Sequence, residues 1–128
     1  MGEARLWLLC AALGGFVAVG AGAIGSHALA AADPRAAQIV GTASHYGMVH
    51  ALALLGVALL AGRPDLVGER PLRIAGALFA AGIVLFSGSL YVLALSGLRG
   101  AAYVTPFGGL AFLAGWAALG LGAVTARR

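Results

Sequence analysis

Charge is scarce in this sequence. Asp, Glu, Lys and Arg together make up 9% of the 128 residues, and lysine is absent, whereas a soluble domain carries about 25% charged residues. Water is therefore not the main solvent of this chain. Only four acids occur, Glu3, Asp33, Asp65 and Glu69, and none falls inside a long apolar run. This deprives any metal site or serine hydrolase of its carboxylate. Cysteine occurs once, as Cys10 within the first apolar run, so no disulfide forms within the chain. Apolar stretches with a strict period of two are also lacking, and with them the signature of a membrane β-barrel.

What remains is a chain that is 62% hydrophobic with a mean hydropathy of +1.00. Its pI near 10.2 comes from eight arginines scattered singly between apolar runs. They form no basic stripe, which argues against nucleic-acid binding. Spanning roughly 30 Å of hydrocarbon takes about 20 helical residues, and the charges mark out four such stretches, near 6–28, 45–62, 73–97 and 104–125. The run from Leu6 to Ile24 is too long for the apolar part of a secretory signal. Leu9 before Cys10 is too bulky for a lipoprotein cleavage site, so we read this run as the first span. In lipid only helices satisfy the backbone of such runs. The expected fold is all-α: one domain, residues 1–128, of four transmembrane helices in an antiparallel up-down-up-down bundle.

Arginine placement sets the expected orientation. Arg5, Arg63, Arg70, Arg73, Arg127 and Arg128 fall to the N-terminus, second loop and C-terminus, against Arg35 and Arg99 in the first and third loops. The positive-inside rule then places both termini in the cytoplasm. Asp33-Pro34 and Thr105-Pro106 both read as a cap followed by a first-turn proline. Residues 34–44 accordingly form either an interfacial helix or an early extension of the second span.

Because hydrocarbon gives apolar side chains no reason to leave the lipid, close backbone approach must hold the bundle together. The chain has 21 glycines. Gly14, Ala18, Gly22 and Ser26 on the first helix, and Ala118, Gly122 and Ala126 on the fourth, read as small-residue seams within the chain, with homo-oligomer contacts as the rival reading. Gly20, Gly22 and Gly25 match a dinucleotide-binding glycine pattern in letters only, since no strand precedes them.

Histidine, serine and tyrosine supply the candidate site. His27, His45 and His50 are placed toward the outer ends of the first two helices. His45 and His50 lie about 140° apart around a helix, which disfavours a metal. Tyr46 and His50 share a face, and a bridge between helices is the commoner role for such a group, worth about 1 kcal/mol. Ser87 and Tyr91 face together while Ser89 points elsewhere. A polar cluster of His27, His50, Ser87, Ser89, Tyr91 and Thr105 in the outer half, with the N-terminus of the fourth helix aimed into it, is the expected site for a small ligand or lipid, or else a set of helix bridges. Neither cofactor nor catalytic residue is expected. Transport of a proton or small solute along His27, His50 and Ser87, and service as an assembly factor for a membrane complex, are the competing functions.

Four motifs occur in order: Gly22-Ala23-Ile24-Gly25-Ser26-His27-Ala28-Leu29, His50-Ala51-Leu52-Ala53-Leu54-Leu55, Phe86-Ser87-Gly88-Ser89-Leu90-Tyr91 and Thr105-Pro106-Phe107-Gly108-Gly109. Together they resemble the domain-of-unknown-function 423 family, small bacterial inner-membrane proteins with a eukaryotic relative called transmembrane protein 256. The resemblance implies a four-helix protein of the bacterial inner membrane. It marks His27, His50, Ser87, Gly88, Ser89, Tyr91, Thr105, Pro106, Gly108 and Gly109 as motif positions, whereas His45 departs from the pattern.

Overall fold

The computed structural model describes residues 2–127; Arg128, counted above among the arginines of the C-terminus, lies outside them. Among the described residues are four helices long and apolar enough to cross a membrane: α1 (Glu3–Leu29), α2 (Pro34–Leu60), α3 (Glu69–Ser96) and α4 (Arg99–Val124). α4 opens with a 3₁₀ turn, Arg99–Tyr103, before its α-helical body at Thr105–Val124. Short connections run the helices antiparallel, with α1 packed on α2, α2 on α3, and α3 on α4.

The second helix starts eleven residues before its apolar run, and residues 34–44 are its extension. Asp33 supplies the reason, since its Oδ1 accepts the Ala36 N–H at 3.1 Å and Pro34 occupies the first turn. The added turns also have a face to bury, with Ala36, Val40, Ala43, Ser44 and Gly47 buried at helical spacing. A hydropathy window misses this because Arg35, Gln38 and Thr42 on the other side dilute it. Thr105 differs from the expectation: it lies inside the helix, Val104 precedes it, and no side-chain cap forms.

On α1 the seam runs Gly14, Ala18, Gly22 and then Gly25, while Ser26 is exposed. Twelve helical steps from Gly14 to Ser26 turn about 120° off the line, whereas eleven steps to Gly25 return within about 20°. A Cβ at Gly25 would stand 2.9 Å from Val40 Cγ1 on α2. On the α-helical body of α4 the buried positions are Gly108, Phe112, Gly115 and Gly122. Ala118 is partly buried against the core, and Ala126 falls beyond the helix end. Glycine at 108 is demanded by close approach, because a Cβ there would collide with the Phe86 backbone on α3.

The core is densest toward the end of the bundle that holds both termini, where Trp7, Leu54, Val57, Leu72, Ala75 and Phe79 form one cluster. Arg73 Nε donates to Glu3 at 2.9 Å, and the Arg127 N–H reaches the Pro64 carbonyl at 3.2 Å. The N-terminus, the second loop and the C-terminal segment therefore share one end, as an even number of antiparallel helices requires. Besides the 3₁₀ opening of α4, two helices carry a π-helical stretch. Gly25–Leu29 and Ile83–Gly88 are π-helical, a form that is rare and recurs at functional positions.

Candidate functional site

Its longer α2 puts His50 sixteen residues after Pro34 and ten before Leu60, in the middle of the helix rather than near its outer end. The imidazole is 3% exposed and both ring nitrogens are engaged. Nδ1 lies 2.7 Å from the Tyr46 carbonyl, and Trp116 Nε1 on α4 donates to Nε2 at 3.1 Å. Because an indole N–H only donates, Nε2 must accept, which fixes the neutral tautomer with its proton on Nδ1. Phe112 stacks parallel on the ring at a centroid distance of 3.5 Å, and Phe79 and Trp116 pack around it. Sequence reasoning found the bridging histidine but missed its partner, because Trp116 is 66 residues away and carries no local signal.

The serines divide between neighbouring helices as the 100° helical step dictates. Ser87, 2% exposed, donates to the Ala43 carbonyl of α2 at 2.7 Å. Tyr91, one turn further along α3, pairs with Ser44 on α2 at 2.9 Å. Ser89 faces the other way, bonded to the Phe86 carbonyl at 2.9 Å and to Thr105 Oγ1 of α4 at 2.6 Å. The Thr105 hydroxyl thus fastens α4 to α3 instead of capping its own helix.

Of the six residues expected to share a site, five separate into bridges between helices. His50 reaches Trp116, Ser87 reaches Ala43, Tyr91 reaches Ser44, and Ser89 reaches Thr105. His27 is exposed on the π-helical end of α1, as is His45 on α2. No group of three or more His, Cys, Asp or Glu side chains stands close enough to hold a metal among the described residues.

Ser87 and Tyr91 do line a cavity, although of a different kind from the expected outward pocket. α1 and α3 leave a lateral groove between them of about 350 Å³, with Gly47 and Leu54 of α2 at its base. Its walls are Leu13, Gly14 and Val17 on one side and Ile83, Val84 and Gly88 on the other. The π-helical turn at Ile83–Gly88 forms much of the second wall. From Ala80 to Tyr91 the groove runs eleven residues, about 16 Å along the helix.

Four apolar helices tied by buried hydroxyl and imidazole bridges define a polytopic membrane protein. The family model described as Protein of unknown function (DUF423) matches residues 21–109, and the chain belongs to that family. The UPF0382 inner membrane protein YgdD of Escherichia coli K12 is 42% identical over 131 residues, covering 97% of this chain and 93% of the relative. The UPF0382 membrane protein YwdK of Bacillus subtilis is 39% identical over 121 residues, covering 94% of this chain and 97% of the relative. A UPF0382 membrane protein of Staphylococcus saprophyticus is 35% identical over 119 residues, covering 92% and 96%. No solved structure matches the chain.

Proposed function

We propose that this protein is a non-enzymatic, multi-pass protein of the bacterial inner membrane, with both termini cytoplasmic, that holds one acyl chain of a membrane lipid in the groove between α1 and α3. The observation that carries this reading is the shape and lining of the groove. It is long, narrow, open sideways and almost wholly apolar, with Ser87 and Tyr91 already bonded to α2. A partner's transmembrane helix, about 10 Å across, is too wide to enter a groove of about 350 Å³ spread over about 16 Å of helix. A single hydrocarbon chain suits about 350 Å³. The surrounding solvent supplies that chain at high concentration.

The inner-membrane assignment draws on the printed name of the Escherichia coli relative, and the orientation on the arginine count. Transport along His27, His50 and Ser87 draws less support, because His27 stands apart and both nitrogens of His50 are taken. The small-residue faces of α1 and α4 close within one chain, which favours a single copy as the binding unit over a homo-oligomer. The assembly-factor reading has no comparable observation behind it.

Gly88 offers the test, since it lines the groove and nothing lies within 4 Å of a Cβ built there, so a leucine starts its side chain in open space. The protein is reconstituted with a phospholipid carrying a diazirine along its acyl chain, irradiated and mapped by mass spectrometry. Labelling is expected to concentrate on Leu13, Val17 and Val84, and to fall severalfold in Gly88→Leu. Uniform labelling of every lipid-facing helix, unchanged by the substitution, would remove the proposal.

A further inference from the structure

At the opposite end of the bundle from the termini, the start of α2 and the α3–α4 connection border an open crevice of about 600 Å³, in which Arg35 and Arg99 are solvent-exposed. Arg35 of α2 and Arg99 at the start of α4 both line it, with Tyr103 beside them and Ile39 and Leu93 supplying apolar wall. Three features set it apart from an ordinary solvated rim. First, the two arginines come from different loops yet serve one cavity, and neither has an ion-pair partner among the described residues. Second, the one acid in the lining, Asp33, has its Oδ1 on the Ala36 N–H as the cap of α2. Third, Arg35 and Arg99 are the only arginines at this end among the described residues, and it is the end that arginine distribution disfavours.

From this convergence we infer that the crevice is a binding site for a phosphate-bearing group, most simply the headgroup of an anionic phospholipid lying against α3. Guanidinium groups offer planar, paired N–H donors that match phosphate oxygens. Ile39 and Leu93 continue the site with apolar surface, and Leu95 and Leu98 next to it are exposed. A headgroup held by the arginines therefore has a place for the first part of its chains. Lipid and free phosphate share the recognising chemistry, and their sources are separable by experiment. The site is distinct from the groove between α1 and α3, which has no charged lining residue, so either can fail alone.

The full chain is reconstituted in nanodiscs of phosphatidylcholine with a minor fraction of phosphatidylglycerol, released into detergent, and weighed by native mass spectrometry. The expected result is one phosphatidylglycerol retained per chain in preference to phosphatidylcholine. Arg35→Gln with Arg99→Gln should lower that retention by about a hundredfold, since each of the two arginines supplies a charged hydrogen bond worth about a factor of ten. Arg70→Gln, at the other end, should leave it intact and serves as the control for general charge loss. Displacement of the lipid by millimolar inorganic phosphate would assign the site to free phosphate, and persistence of the lipid would assign it to the headgroup. Equal retention of both lipids without phosphate binding would overturn the inference. So would retention that Arg70→Gln lowers as much as the double substitution does.

Discussion

Removing the His50 side chain should destabilise the bundle by more than its hydrogen bond alone is worth. A hydrogen bond between membrane helices contributes about 0.6 kcal/mol on average and about 1.7 at most, which sets the Trp116 bond near 1 kcal/mol. The parallel stack on Phe112 at 3.5 Å adds about 0.5–1.5 kcal/mol, the range for aromatic pairs. A ring 3% exposed leaves a void when truncated, and in lipid the loss is of dispersion contacts rather than of burial from water. His50→Ala is therefore expected to cost about 2–3 kcal/mol. Trp116→Phe keeps most of the ring, whose residue is 46% exposed, and loses the N–H, at about 1 kcal/mol. Steric trapping in bicelles would measure both single variants and the double variant. The coupling between them should be about 1 kcal/mol. A coupling within about 0.3 kcal/mol of zero, the usual error of additivity, would refute the assignment of the bond and the tautomer with it.

Two further outcomes follow from local geometry. Gly108→Ala should destabilise by about 1–3 kcal/mol, the range for overpacking, or block assembly, because the new methyl meets the Phe86 backbone; the same assay should find Gly88→Leu neutral by comparison. In the exposed second loop, the Arg63 guanidinium hydrogen-bonded to Asp65 holds its carboxyl below the ordinary carboxylate value. Whatever stability the pair adds is present at neutral pH and is lost as pH falls through the lowered midpoint. Carbon-detected NMR titration of Asp65 should show that low midpoint and its return toward the ordinary value in Arg63→Gln.

Much of the candidate site could be read from residue spacing, because a helix converts sequence interval into angle. Ser87 and Tyr91, four apart, were expected on one face, and both bond α2, at the adjacent residues Ala43 and Ser44. Ser89, two steps from Ser87, was expected elsewhere and meets α4. Depth was harder to read than direction. His50 shifts to the middle of α2 because Asp33 starts that helix at Pro34, a capping effect that hydropathy does not weigh. His27 was grouped with the others by its apparent depth, and it is exposed instead on a π-helical turn.

The sequence by itself determined that four helices must lie in hydrocarbon, where each ends to within a few residues except at the start of α2, and which arginines gather at each end. These are consequences of backbone satisfaction and charge, properties that act locally along a chain. Only the tertiary structure decided which polar groups meet and where the helices part. The Trp116 partner of His50, the Gly25 seam and the groove between α1 and α3 all depend on how two surfaces fit across space. In lipid, where apolar contact alone selects no partner, that fit is set by the placement of small residues and the pairing of buried donors with acceptors.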